Sequence, residues 1–418
     1  MKQVLILMAK GFPYNVSEPF LENEYPLYHN CYDKVLVVTG CKKGERATRT
    51  VNDPLIEIID DNTLSKDIRS VAEALPYVLT DRMFYRELAS LLKKRRFSVE
   101  RLYQMIVIAC CGNHRALLAK KWLKAHPDYE VSVVYSYWFQ ATAYAAIRLK
   151  QLMKDDSLYT ITRAHGFDLY EERISSNYLP YHEQIYRNID EVAAISNNGK
   201  SYLEGKYGDL QKISVHHLGA LDQGKHNPTV SRDAFRMVSC SRAVQVKRIH
   251  RIVDALAQIT DIQIEWVHIG GGELLNELKR WIEKLPANIK VTLTGSIPNF
   301  QVYEYYANTP FHCFVNVSYS EGVPVSVMEA MSFDIPVIAT AVGGTAELVD
   351  DRINGFLLEQ DFLDEQLVSC IRQMAQMPER QYRSFRNAAR EKFEREYNAV
   401  PNYKAFIDQI AQKGKKQQ

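Results

Sequence analysis

The chain has 418 residues, enough for two domains or more, and its 46% hydrophobic content is that of a globular protein able to fill two cores. The 52 Lys and Arg against 50 Asp and Glu leave a formal net charge of +2, so the molecule as a whole carries neither a nucleic-acid nor an acidic-partner signature. Seven scattered cysteines, with no CxxC and no Cys/His zinc spacing, fit the reduced thiols of a cytoplasmic protein and predict no metal.

The chain opens "MKQVLILMAKGFPY", a short apolar run that breaks at Gly11-Phe12-Pro13. It reads as a first buried strand and its turn, not as a signal peptide. No apolar stretch reaches about 18 residues, so no membrane-spanning helix is predicted. Further buried parallel strands are predicted at 34–40, 131–137, 159–166 and 191–196. The second half repeats the rhythm at 236–242, 263–270, 289–295, 311–318 and 335–340, with helical patterns between. Such alternation predicts two α/β units with parallel sheets. In open sheets of this kind ligands bind beyond the carboxyl ends of the strands, so the polar residues that follow each strand carry the functional information. The sequons at Asn15 and Asn316 are expected to be accidental.

Residues 81–127 hold eleven Lys/Arg and three Asp/Glu, a balance of 11 − 3 = +8. Lys93, Lys94, Arg95 and Arg96 are consecutive, and Phe84, Tyr85, Phe97, Tyr103 and Trp122 are interleaved. A basic surface with aromatics suits an anionic membrane, and a solvated helix face gives the same pattern. No RNA-binding module is present, and no nucleic-acid partner is predicted. The strand at 159–166 ends on His165-Gly166, with Asp168 close behind; a histidine in such a place serves structure as readily as chemistry. The polar, aperiodic stretch at 221–233 marks the domain boundary. The domains are then 1–222, 234–395 and a C-terminal helix at 396–418. The tail from Glu379 reads as a charged amphipathic helix broken at Pro401.

"SCSRAVQVKRIH" places Arg242 and Lys247 after the first strand of the second half. Two cations there suit a diphosphate, and equally a surface; the adjacent Arg248 is expected to be solvated. "GGGE" at 270–273 is not GxGxxG and reads as a tight turn. "SEGVPVSVMEAM" sets Glu321 before a helix and Glu329 within it, with Gly322 for a tight turn and Pro324 for the first helical turn. Carboxylates accept paired hydrogen bonds from neighbouring hydroxyls, as on a sugar or a ribose, although acids also favour a helix start for its dipole. "PVIATAVGG" then brings Gly343-Gly344 before a helix near Thr345, a turn that presents N–H groups to an anion.

Together, "SRAVQVKR", "HIGGGELLNELKRWIEKL", "VTLTGSIPN", "SEGVPVSVMEAM", "PVIATAVGGTAELV" and "NGFLL" resemble the donor half of the retaining glycosyltransferases of family 4, or group 1. The likeness is specific from about 236 to 358 and weaker, but continuous, through "GFPYNVSEPFLENE", "YSYWF", "RAHGFDLY" and "AISNNGKSYL". In two places the pattern departs: Ser241 stands where a glycine precedes the arginine, and the loop after the first strand has the single Gly11. The resemblance implies a GT-B fold, two Rossmann-like domains with an active site between them and a final helix crossing back to the N-terminal domain. It implies that Arg242 and Lys247 hold the diphosphate of a nucleotide-diphospho-sugar. Glu321, with the backbone of Gly322, Val323 and Pro324, would hold the sugar hydroxyls, and Glu329 the ribose. Ser296 and Ile297 would meet the base, with uridine expected. His165 would lie near the sugar and acceptor, and Gly11 on the acceptor side.

Two cations and a helix start can stabilise a departing diphosphate without a metal ion, and no DxD motif ends a strand. The expected function is therefore metal-independent, retaining sugar transfer to a glycan or lipid-linked acceptor, in surface polysaccharide, lipopolysaccharide or glycolipid biosynthesis. Its place would be the cytoplasm or the inner membrane face. The competing readings are a GT-B-like nucleotide-sugar epimerase, whose carboxylate and histidine motif at the sugar's C2 is not seen, and a non-catalytic nucleotide-sugar-binding protein, against which the intact Arg242, Lys247, Glu321 and Glu329 count.

Overall fold

A computed structural model describes residues 1–14, 18, 20–41, 46–61, 68–208, 211–231 and 233–417. The sequon residue Asn15 lies outside them. The chain divides into two compact units, Met1–Ile195 with Gly199–His216 and Tyr403–Gln418, and Ser196–Asn198 with His217–Asn402.

The first unit is built on seven strands: β1 (Lys2–Met8), β2 (Lys34–Gly40), β3 (Ile56–Asp61), β4 (Tyr129–Ser136), β5 (Tyr159–Ala164), β6 (Glu191–Ala194) and β7 (Ile213–Val215). They pair in parallel in the order β3-β2-β1-β4-β5-β6-β7. Val4, Ile6 and Leu36 join one core cluster with Ala116, Ala119 and Trp122 of the long helix Val99–Ala125. Trp122 is thus buried, and its Nε1 donates to Glu57 at 2.6 Å. It belongs to the core and not to the basic surface predicted for 81–127.

Six further strands form the sheet of the second unit: β8 (Phe235–Cys240), β9 (Ile264–Ile269), β10 (Ile289–Gly295), β11 (Cys313–Asn316), β12 (Val337–Thr340) and β13 (Gly355–Leu358). Their order, β10-β9-β8-β11-β12-β13, is again all parallel. Counted from the first strand of each unit, both sheets contain the order 3-2-1-4-5-6, the doubly wound Rossmann order, and the first adds a seventh strand beyond it. Its strand sequence reverses direction between β1 and β4 in the first unit and between β8 and β11 in the second. At that reversal the connections leave to opposite faces and open a crevice at the carboxyl ends.

Among the described residues no helix is long and apolar enough to cross a membrane. The helix Glu379–Lys392 gives way to a wide turn at Phe393–Tyr397 before the helix Ala399–Gln417 begins. The break predicted at Pro401 therefore falls earlier. Pro401 sits in the first turn of the last helix, where a missing N–H costs nothing.

Gly355, at the start of β13, lies so close to β12 that an added Cβ would be 1.9 Å from the Val337 carbonyl oxygen. Gly355→Ala is expected to destabilise the second unit by about 1–3 kcal/mol, read as a lower urea midpoint, because backbone and not a flexible side chain must yield.

Candidate functional site

β8 and β11 pair at the reversal of the second sheet, so the segments that leave their carboxyl ends meet. After β8 the chain makes a short 3-10 turn, Gln245–Lys247, and passes through Arg248 in the left-handed region, at φ 47°. After β11 it runs through Ser318 and Tyr319 to Glu321. The Lys247 ammonium and the Glu321 carboxylate then touch, Nζ to Oε1 2.5 Å. Both side chains are largely shielded, so the pair is screened less than a surface contact. Asn316, the last residue of β11, donates from Nδ2 to the same Glu321 oxygen at 3.3 Å, and its Oδ1 accepts from Ser318 N–H at 3.1 Å. Asn316 is buried, which leaves its sequon inaccessible.

Arg248 is not solvated, contrary to the expectation for it. It is buried, and its guanidinium donates to the carbonyls of Val317 (2.9 Å), Ser318 (3.3 Å) and Gln360 (2.7 Å). It thereby fixes the exit of β11, on which Glu321 hangs. Arg242 is exposed on the same connection after β8.

Gly322 follows Glu321, and Val323 and the N-cap Pro324 are buried ahead of the helix Val325–Met331. Gly344 N–H donates to Gly322 O at 2.6 Å, and Gly343 takes φ 55°. A Cβ on Gly343 would lie 2.1 Å from Glu321 O. The Gly-Gly turn after β12 thus packs against the Glu321 loop. Its Gly344 N–H is taken, and the helix behind it, Thr345–Leu348, has four residues, too short for the dipole anticipated at that turn. The N–H groups of Gly322 and Val323, on the loop that follows Glu321, have no hydrogen-bond partner among the described residues.

Glu329 lies inside the helix and is buried, accepting from Asn299 Nδ2 at 2.8 Å and Tyr303 O–H at 3.3 Å. Burial pushes its carboxyl above the ordinary value, against the opposing effect of those two donors. Ser296 is exposed and Ile297 half-buried just after β10. The three glycines at 270–272 seat the neighbouring loops: Cβ atoms there would meet Ser241 O at 1.9 Å, Ser296 Oγ at 2.5 Å and Ala243 O at 2.5 Å. "GGGE" is a packing joint between the connections after β8, β9 and β10.

In the first unit, His165 is buried at the end of β5, its ring against Trp138 (centroids 4.4 Å apart) and Tyr137 (5.0 Å). Its Nδ1 is 3.6 Å from Asp168 Oδ2. Gly11 N–H donates to the buried Glu18 carboxylate at 2.9 Å, as do Lys10 N–H and Phe12 N–H at 2.7 Å each. Arg248 was misread because its partners lie 69 to 112 residues away, and the roles of Asn316 and Glu18 depend on how their own loops close. A cation after a strand and a lone acid in a loop look solvated until the fold closes on them.

This arrangement of a cation, a carboxylate and glycine loops can be set beside known proteins. Residues 225–392 match the family model described as "Glycosyl transferases group 1", nearly the whole second unit. Over this segment the chain is similar to the group 1 glycosyltransferases. Among curated relatives, a putative colanic acid biosynthesis glycosyltransferase, WcaL of Escherichia coli K12, is 24% identical over 243 residues, covering 56% of this chain and 59% of that protein. The amylovoran biosynthesis glycosyltransferase AmsK of Erwinia amylovora is 25% identical over 259 residues, 59% of this chain and 62% of its own. The matches thus span about three-fifths of these relatives' length. Among solved structures, the lipopolysaccharide outer core galactosyltransferase WaaB superimposes with a TM-score of 0.71 at 15% identity, over 98% of this chain and 99% of that one. Anabaena HepE in complex with UDP-glucose does so at 0.64 and 17%, over 99% of each. The structural likenesses establish the fold, the pair of Rossmann sheets called GT-B.

The buried Glu329 gives a titration test. Its folded pKa stands above the unfolded value near 4.5, so the folded chain retains a proton that the unfolded chain loses as pH rises. Glu329→Gln should therefore gain stability relative to the unsubstituted chain as pH rises from 5 to 8, by urea melts at both ends. A pH-independent difference would mean that the carboxyl is not perturbed.

Proposed function

We propose that the protein is a retaining glycosyltransferase that moves a sugar from a nucleotide-diphospho-sugar to a hydroxyl of a glycan or lipid-linked acceptor in surface polysaccharide or glycolipid biosynthesis. The observation that carries this reading is the Lys247–Glu321 contact at the β8/β11 reversal, where a Rossmann sheet receives its ligand. Breaking the sugar–phosphate bond loads negative charge on the departing diphosphate. Lys247 and Arg242 meet that charge, with the N–H groups of Gly322 and Val323. Glu321, already oriented by Asn316, accepts from sugar hydroxyls once Lys247 turns to the phosphate. Glu329 accepts from the ribose, and the backbone at Ser296 and Ile297 meets the base. The departing phosphate oxygen takes the acceptor proton on the face it leaves, which retains configuration. His165 serves the sugar and acceptor. Uridine is the proposed nucleotide, in keeping with the UDP-glucose held by HepE. The cations cover the charge that a metal would otherwise take, so activity is expected to withstand EDTA; its loss, restored by a divalent ion, would refute that part.

Lys247→Ala removes one charge-assisted hydrogen bond, about 1.5–3 kcal/mol, so UDP binding should weaken about 10- to 100-fold by calorimetry. Unchanged affinity would move Lys247 out of the site.

The proposed place of action is the cytoplasmic membrane face, and the surface that supports it is narrower than residues 81–127. Val99, Tyr103 and Ile106 form an exposed stripe at helical spacing on the helix Val99–Ala125. Leu92 and Phe97 are exposed just before it, as are Lys93 and Arg95. Lys94, Arg96 and Arg101 are tied down instead, to Glu183, the Asn177 carbonyl and the Ser176 carbonyl. Apolar side chains beside free cations suit an anionic bilayer, each cation adding about 1 kcal/mol. The chain should co-sediment with phosphatidylserine-containing liposomes and not with neutral ones, and Phe97→Glu with Val99→Glu should abolish it. Absence of binding to either would remove the membrane from the account.

A further inference from the structure

The carboxyl ends of β1, β4 and β5 carry a continuous run of aromatic rings that the donor reading does not use. Tyr137, His165, Trp138 and Phe167 follow one another with centroids 5.0, 4.4 and 4.6 Å apart. The first three are buried, whereas Phe167 is 45% exposed. Its neighbours are fixed. Trp138 Nε1 donates to Glu18 at 2.8 Å, and the two Asp168 oxygens accept from His165 N–H at 2.7 Å and Phe139 N–H at 2.8 Å. Phe167, between His165 and Asp168, is therefore an outward ring on an anchored turn. The Lys10 ammonium, on an exposed residue, lies 4.9 Å from its centroid.

Two further observations point to a ligand here. Among the described residues neither buried ring nitrogen of His165 has a hydrogen-bond partner, Nδ1 lying 3.6 Å from Asp168 Oδ2, and an unpaired buried nitrogen is a costly state that a hydroxyl relieves. The three N–H groups after β1 form a nest that would attract an anion, but Glu18 fills it with the chain's own carboxylate. An anionic ligand at this sheet end must therefore be met by a side chain, and the exposed Lys10 is a cation at the spot.

We propose that Phe167 is a stacking platform for a sugar ring of the acceptor, and that Lys10 selects acceptors whose sugar carries an acidic group. This deepens the glycosyltransferase reading and rests on it. The C–H face of a pyranose covers an aromatic ring while its hydroxyls stay at the edge, free for polar partners. A ring anchored through Trp138 and Asp168 loses little freedom on binding. The Lys10 ammonium leaves the ring face for the acid, exchanging a cation–π contact of modest strength for a charge-assisted one.

The test is saturation-transfer NMR on the full chain with two probes, methyl α-glucuronoside and methyl α-glucoside, and a separate UDP titration. Saturation is expected on the ring C–H protons of both, with the glucuronoside bound the more tightly. Phe167→Ala should weaken both at least 10-fold, Phe167→Trp should keep them, and Lys10→Ala should remove the preference. UDP affinity should be unchanged in every variant. No saturation in the unsubstituted chain, or equal saturation in Phe167→Ala, overturns the platform; equal binding of the two probes overturns the role of Lys10. Failure of UDP to bind counts against the donor site instead, and is read independently of the probes.

Discussion

The proposed function depends on one electrostatic contact in the second unit, the ion pair between Lys247 and Glu321 at the carboxyl edge of its sheet. The two residues are 74 positions apart, and only the Rossmann strand order brings them together, since β8 and β11 are neighbours through the reversal of direction. The lysine and glutamate, both largely shielded, orient each other. In the proposed function a phosphate draws the ammonium, and the carboxylate is then free for hydroxyls.

Much of the surrounding structure reads as support for that contact. Arg248 fixes the exit of β11 by three backbone carbonyls, and Asn316 turns Glu321 toward Lys247. The glycines at 270–272 and 343–344 let the connections after β8 to β12 approach more closely than any side chain allows. In the first unit Glu18 has the corresponding task, closing the loop after β1 onto Trp138 of the β4 connection. One sheet end presents cations and open N–H groups, and the other presents aromatic rings with its backbone nest already filled. That difference suits a charged donor on one unit and a sugar acceptor on the other.

Most of this fold was legible in the sequence because buried parallel strands are uniformly apolar. β2 and β10 occupy the predicted 34–40 and 289–295, and other predicted runs overlap their strands with ends shifted by a few residues. β3 and β7 were missed for physical reasons. β3, "IEIIDD", lies at the sheet edge, is half-exposed and alternates with acids, and β7 has three residues. β13 was quoted within the motif "NGFLL" without being recognised as a strand. Lys247 and Glu321 were read from the connections that follow two strands, and the fold brings those two side chains together. Arg248 was misread, since whether a cation is solvated or clamped depends on carbonyls 69 to 112 residues away. Trp122 was misassigned because a long helix can expose its first turns and bury its later ones.

The central claim is tested most directly by a crystal structure of the chain with a UDP-sugar. The account predicts that the Lys247 ammonium has left Glu321 for a diphosphate oxygen and that the Glu321 carboxylate accepts from the sugar. A bound nucleotide with the Lys247–Glu321 contact intact, or one seated away from the β8/β11 edge, would contradict it.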